Sequence, residues 1–237
     1  MKKRIRSLDF LRGVAIIIMF IDHFAGIALL DPINPTTIRF LTRLAEPLFA
    51  LLFGYFLHSR SKDKLVKRGI EVTAVAILVN LFYYSLIGRF EILGSFVLMV
   101  VAYFFLGNII KWLLPLALLT PWDPTIAFLD YPITLVASQA ALGMLMREGK
   151  DWRLSLFFII PFLLMRPPWS YSFLFMPLAT YMLAWAVKNK GYGNSFVEIL
   201  GRYPLMSYVM QFIAAVALSA IYYALFTSYV PTVTVVR

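Results

Sequence analysis

Gly13-Val14-Ala15-Ile16-Ile17-Ile18-Met19-Phe20-Ile21-Asp22-His23-Phe24-Ala25-Gly26-Ile27-Ala28-Leu29-Leu30 is an apolar run with only two ionisable side chains, Asp22 and His23. A hydrocarbon core is crossed by roughly 20 such residues in helical form, so the run predicts a membrane-spanning helix. Comparable windows follow at about 38–58, 69–88, 92–111, 113–121, 132–147, 154–167, 171–187 and 203–226. The window at 113–121 is too short to cross as an α-helix, and Pro115, Pro121 and Pro124 break regular hydrogen bonding around it. It is expected to be a half-helix, a re-entrant segment or a steep connector. Composition agrees with this reading: 61% of the 237 residues are hydrophobic, 14% are charged and the mean hydropathy is +0.80, which excludes an ordinary water-soluble globule. The expected fold is an all-α, polytopic integral membrane helix bundle with about nine transmembrane segments, residues 1–237 forming a single domain.

Lysine and arginine number 22 against 12 acidic residues, a net charge of +10. In a soluble chain that excess would point to nucleic acid; here it reports topology, because basic residues hold short loops on the cytoplasmic side, and no nucleic-acid partner is expected. Alternating the windows across a bilayer gathers Lys2, Lys3, Arg4, Arg6 and Arg12 on one side with Arg60, Lys62, Lys64, Lys67 and Arg68. Lys111, Arg147, Lys150, Arg153, Lys188, Lys190 and Arg202 join them there. Arg39, Arg43, Arg89, Arg166 and Arg237 remain on the other side. The N-terminus is therefore expected in the cytoplasm and the C-terminus outside. The basic start followed by an apolar run looks superficially like a signal peptide, but Asp22 and His23 interrupt it and no small-residue cleavage site follows, so a retained first helix is expected. Cysteine is absent, which excludes disulfides and thiolate chemistry.

Ionisable groups at membrane depth are costly and mark candidate functional sites. Eleven steps separate Arg12 from His23; at about 100° per residue this is about 20° from three full turns, so the two share a helix face, roughly 16 Å apart along the axis. Asp9 and Met19 lie near the same stripe, whereas Asp22 points about 80° away from His23. This geometry suits an elongated ligand with an anionic head at the cytoplasmic mouth and a reactive tail inside. Acyl-coenzyme A has that shape, and a histidine near neutral pKa is suited to take the acceptor's proton during attack on the thioester. The same residues also fit a plain structural role, with histidine bridging helices and arginine obeying the positive-inside rule.

The stretch Arg4-Ile5-Arg6-Ser7-Leu8-Asp9-Phe10-Leu11-Arg12-Gly13-Val14-Ala15, continuing to His23, resembles the opening of the transmembrane acyltransferase superfamily. That group includes heparan-α-glucosaminide N-acetyltransferase-like and acyltransferase-3 proteins; Met19 to Asp22-His23 also resembles TraX, an acetylase of pilin N-termini. Ala45-Glu46-Pro47-Leu48-Phe49 through Gly54-Tyr55 resembles the family's second helix, and Leu200-Gly201-Arg202-Tyr203-Pro204 through Tyr208 its closing helix. The chain departs from the pattern at Phe53, where many relatives have serine, and at Gln211, where some have histidine. The resemblance implies transfer of an acyl group, usually acetyl, from cytoplasmic acyl-CoA to a hydroxyl or amine of an acceptor, expected to be a glycan or other envelope molecule. It makes His23 the catalytic histidine and Arg12 a donor-binding or structural arginine. Acetyl-CoA or another acyl-CoA is the implied cosubstrate, without a metal, and a prokaryotic cell membrane the expected location, with a homodimer as one arrangement.

Further candidates fill out this site. Glu46 is a candidate for orienting His23 or accepting a proton, with pairing to Arg43 or Arg39 as the structural alternative, and Asp22 is a further catalytic candidate that is not expected to touch His23 directly. Lys67 and Arg68 join Arg12 as candidates for the donor's phosphates and Asp9 is a further candidate for the donor site, although the basic run from His58 to Arg68 fits anchorage to anionic lipid better. Asn80, Tyr83, Tyr84, Ser95, Ser138, Gln139, Ser207, Tyr208 and Gln211 are expected to join helices through hydrogen bonds. Arg166-Pro167-Pro168-Trp169 reads as a rigid interfacial turn, and Asp123 and Asp130 with Trp122 and Tyr131 as an outer loop able to meet sugar hydroxyls. His23 and His58 are too far apart in depth to share a metal. Two other classes stay open: a proton-coupled transporter using Asp22, His23 and Glu46 as a relay, and a membrane scaffold.

Overall fold

The computed structural model describes residues 4–58, 61–166 and 169–226. Lys2, Lys3, Arg60, the Pro167-Pro168 pair and Arg237, all placed by the charge and turn readings above, lie outside the described residues. Regular structure among the described residues is helical, apart from one isolated bridge between Phe90 and Leu129. The α-helices are α1 (Arg6–Ala28), α2 (Ile38–Thr42), α3 (Ala45–Leu57), α4 (Lys62–Ile87), α5 (Ile92–Leu106), α6 (Ile133–Arg147), α7 (Ile159–Leu164), α8 (Trp169–Leu174), α9 (Met176–Lys188), α10 (Ser195–Arg202) and α11 (Pro204–Phe226). Among the described residues five stretches are long and apolar enough to cross a membrane: Arg6–Ala28, Ile38–Leu57, Ile92–Trp122, Trp169–Lys188 and Pro204–Phe226. Ile133–Arg147 and Trp152–Leu164 are apolar but shorter.

The segment after α5 is a 3-10 helix from Gly107 to Trp122. Its start lies earlier than the window at 113–121, because Gly107 takes φ +56°, a left-handed value that glycine adopts without a Cβ clash and that ends α5. Sixteen residues rising about 2.0 Å each extend roughly 32 Å. The window at 113–121, expected as a half-helix, re-entrant segment or steep connector, is thus part of a longer 3-10 element that follows α5. Its two internal prolines fit because a proline ring already holds φ in the helical range.

The chain divides into two compact units, one of residues up to Glu46 together with those from Met182 onward, the other Pro47–Tyr181. In the Pro47–Tyr181 unit successive segments alternate in direction, as contacts at the two ends show. At one end Arg147, closing α6, donates to the Tyr55 hydroxyl near the end of α3 at 2.9 Å. Lys111, early in the 3-10 helix, donates to Glu148 at 2.8 Å, and the Lys62 ammonium at the start of α4 lies 5.6 Å from the Phe104 ring centroid near the end of α5. At the opposite end Tyr83 of α4 donates to Asp130 at 2.9 Å, and the Asn80 side-chain Oδ1 accepts the Glu91 N–H at 2.7 Å. There too the Thr134 hydroxyl of α6 meets Thr120 at 3.1 Å, and the Trp169 indole donates to the Asp130 carbonyl at 3.0 Å. Stacking of Phe158 against Phe173 at 5.5 Å joins the segments on either side of residues 167–168.

The centre of this unit is α6, buried without interruption from Leu135 to Met146. Its polar side chains Ser138 and Gln139 are buried with the apolar ones, and its small residues let neighbours come close. Ideal Cβ atoms at Gly54 of α3 and Gly143 of α6 would lie 1.9 Å from the Ala140 carbonyl and 2.1 Å from the Leu51 carbonyl. Backbone therefore packs directly on backbone, as small residues permit in apolar bundles.

The other unit is built on α1, against which α10 and α11 pack. Asn194 caps α10 by accepting from Phe196 and Val197 N–H groups at 3.0 and 3.4 Å. A Cβ at Gly13 would sit 2.0 Å from the Val197 carbonyl and one at Gly201 1.7 Å from the Asp9 carbonyl, so two glycines set the α1–α10 contact. α10 has no counterpart among the apolar windows, because its residues mix charge with hydrophobicity over only two turns. Parallel to α1, α11 starts beside α10 and ends where Tyr223 donates to the Ile27 carbonyl at 2.7 Å.

Candidate functional site

His23 lies in the last third of α1, half-buried. Its Nδ1 is 3.1 Å from Oε1 of Gln211 on α11, and the Phe212 ring meets the imidazole edge-on at 5.6 Å. The Gln211 amide is itself oriented, its Nε2 lying 3.5 Å from the Met19 sulfur. Since the amide oxygen only accepts, this network assigns the proton to Nδ1 and leaves a lone pair on Nε2. A histidine held this way has one nitrogen committed to positioning and the other suited to accept a proton. The Met19–His23 stripe of the sequence therefore has a partner, Gln211, which the sequence marked only as a helix-joining polar residue and a departure from the family pattern.

Arg12 and His23 do share a face of α1, since both reach C-terminal elements: Arg12 donates to the Gly201 carbonyl of α10 at 3.3 Å and to Asp9 at 3.1 Å. Asp9 is buried and also pairs with Arg4. Beside them Arg6 grips Glu198 at 2.7 Å, with Arg202 of the same helix at 3.5 Å. The motif that suggested a donor site thus also forms the α1–α10 joint, Asp9 serving as counter-ion to two arginines. Lys67 and Arg68 belong to the other unit, where Arg68 is paired with Glu71 at 3.2 Å.

Asp22 points away from the imidazole face, as its angular position required. It is 5% exposed, paired with Arg43, 3.4 Å from Arg39 and accepting the Thr42 hydroxyl at 2.6 Å. The three donors come from α2 and the residue after it, so this carboxylate ties α1 to the entry of α3. Arg39 lies across Gly26, where a Cβ would come within 3.0 Å of the guanidinium carbon. Glu46 is buried in the first turn of α3, one turn beyond Arg43.

A second polar cluster, which the sequence reading reached only in part, occupies the Asp130 end of the Pro47–Tyr181 unit. Asp130 accepts from Tyr83, while Asp123 caps the short helix Pro124–Ala127 and accepts from Thr134 at 2.8 Å. Burial lies against ionisation of Asp123, yet the Thr125 and Thr134 donors prevail and hold its pKa below the usual value. This accounts for Asp123 as a loop brace. Glu91, absent from the candidates drawn from sequence, caps α5 by accepting the Leu93 N–H at 2.8 Å. Burial pushes its carboxyl up to about 8, opposed by the Leu93 N–H and reinforced by Asp130.

The folded chain therefore retains a proton on Glu91 that the unfolded chain releases above its ordinary value of 4.5. The resulting contribution to stability is complete below about 4.5 and is lost as pH rises toward about 8. Melting temperatures of the wild type are expected to carry this downward slope, and Glu91→Gln to flatten it while gaining most at alkaline pH. Parallel profiles for the two proteins would refute the assignment.

Among the described residues no group of three or more histidine, aspartate or glutamate side chains is placed to hold a metal ion. Comparison with family models, with curated proteins and with solved structures returned no match.

Proposed function

We propose that the chain is a membrane-embedded acyltransferase that moves an acyl group, acetyl in the first instance, from cytoplasmic acyl-CoA to a hydroxyl or amine of a glycan or other envelope acceptor. The observation that carries this reading is the His23–Gln211–Met19 arrangement, which leaves Nε2 of an intramembrane histidine as a base on the same helix face as Arg12. In the reaction Nε2 takes the acceptor's proton as its oxygen or nitrogen attacks the thioester carbonyl. The new C–O or C–N bond forms, the C–S bond breaks, and the proton returns from His23 to the departing thiolate. The alternative route through acyl-histidine would use the same nitrogen. Against a proton relay stands Asp22, which is committed to Arg39 and Arg43.

The same proposal has nine crossings, the N-terminus in the cytoplasm and a prokaryotic cell membrane as its setting. Its support is the alternation of segments from α3 onward, together with the basic residues Lys62, Lys111 and Arg147 at a single end. The native chain lacks cysteine, so single-cysteine variants read topology directly. Lys150→Cys is expected to react with a membrane-impermeant maleimide only from the cytoplasmic side, and Phe128→Cys only from the outer side; labelling of both from one side would overturn the arrangement.

The enzymatic reading is tested by melting the purified protein in detergent with increasing acetyl-CoA and by measuring acyl transfer to envelope-glycan acceptors. Saturable stabilisation follows if the native state binds. His23→Ala is expected to keep this stabilisation and lose about 10²–10⁴-fold in turnover, the usual contribution of general acid–base catalysis. Gln211→Leu should lower turnover while leaving donor binding intact. Absence of stabilisation by acetyl-CoA, longer acyl-CoAs and CoA would overturn the reading.

A further inference from the structure

An apolar groove of about 540 Å³ runs along α4 and α5, lined by Leu65, Gly69, Thr73 and Ile77 on the first helix and by Val101 and Phe105 on the second. Its volume lies in the ~300–1,000 Å³ range of small-molecule sites. From Leu65 to Ile77 it extends roughly 18 Å at ~1.5 Å per residue, a shape for a chain rather than a compact molecule. Gly69 keeps the floor low, since even a Cβ there would come within 3.2 Å of the Val100 side chain.

The charge pattern identifies the occupant. Lys62 stands one turn before Val66 on the groove face of α4, exposed, with its ammonium 5.6 Å from the centroid of the Phe104 ring at the groove's end. A cation lying over a ring keeps N–H donors for another partner. No carboxylate pairs with Lys62 among the described residues, whereas Arg68 is held by Glu71. Lys64 and Lys67 lie on other faces, and Asp63 is at the flank. A cation at one end and an uncharged channel leading away from it match a lipid with an anionic headgroup.

We propose that this groove holds an acyl chain of an anionic phospholipid whose phosphate is bound by Lys62. The test adds palmitoyl-oleoyl phosphatidylglycerol, the phosphatidylcholine of the same chains, or inorganic phosphate to the detergent-purified full chain, reading melting temperature and bound lipid by native mass spectrometry. Phosphatidylglycerol is expected to stabilise saturably and to be retained, phosphatidylcholine to bind more weakly, and inorganic phosphate to have no effect. Lys62→Gln should weaken the phosphatidylglycerol midpoint about fivefold, the equivalent of about 1 kcal/mol for one lysine. Lys64→Gln, with the same net charge, should leave it unchanged. Ala74→Trp fills the groove from an exposed position and should abolish retention of both lipids. Equal responses to the two lipids, equal effects of the two lysine variants, or retention in folded Ala74→Trp would each overturn the proposal. So would stabilisation by phosphate alone, or a dimer that Ala74→Trp converts to monomer, since the groove would then belong to a second copy.

Discussion

Leucine at Gly54 or at Gly143 is expected to prevent recovery of monodisperse, folded protein. Even the first atom of a new side chain would lie 1.9 Å from the Ala140 carbonyl in one case and 2.1 Å from the Leu51 carbonyl in the other. Both obstacles are backbone of an opposing helix, so no rotamer change relieves the clash and α3 must move off α6. Ordinary overpacking of a core costs about 1–3 kcal/mol, and alanine at either glycine is expected to reach at least the upper part of that range. Separation would also uncover the uninterrupted buried surface of α6. Gly94→Ala is the control: its nearest neighbour, a methyl of Leu129, lies 3.5 Å away, and its melting temperature should stay close to wild type. Unfolding of the purified variants in increasing SDS measures the series. A Gly54→Leu protein as stable as wild type would show that the α3–α6 contact is looser than described.

Arg43→Met is expected to destabilise the protein by about 3 kcal/mol, because removing one partner leaves a buried charge poorly compensated. Asp22 would retain the Thr42 hydroxyl and the more distant Arg39, which is 3.4 Å away, so Arg39→Met should cost less than Arg43→Met. Adding Asp22→Asn to Arg43→Met removes the stranded charge and should recover part of the loss. The same SDS titration gives the cycle. A null effect of Arg43→Met, or a double variant weaker than the sum of the singles, would refute Asp22 as the ionic tie between α1 and the entry of α3. Because Asp22 and His23 are sequence neighbours on different faces, the cycle also separates their roles. Arg43→Met should alter stability while the imidazole keeps its Gln211 partner, whereas under the proposed acyl transfer Gln211→Leu should affect turnover first.

Hydrophobic periodicity alone located nearly every helix. The windows at 132–147 and 203–226 match Ile133–Arg147 and Pro204–Phe226 within a residue or two, and the bundle's all-helical character follows from the same signal. It is legible because transfer into an apolar environment is a property of each segment's own side chains. The common face of Arg12 and His23, and the divergence of Asp22 from it, were equally local, since helical geometry sets them. Contacts made across the chain were not. Gln211 became the partner of His23, Gly201 took up Arg12, and Glu91 acquired a buried environment beside Asp130 only when helices distant in sequence came together. The 3-10 helix from Gly107 escaped prediction because hydropathy marks neither the break set by the glycine φ nor the tighter winding that follows it, and α10 because its two mixed turns make no apolar window. Sequence by itself determined which segments are apolar and helical and which charges they carry. Tertiary structure decided which of those charges meet, because the pairing energy depends on distances of a few ångströms that no single segment contains.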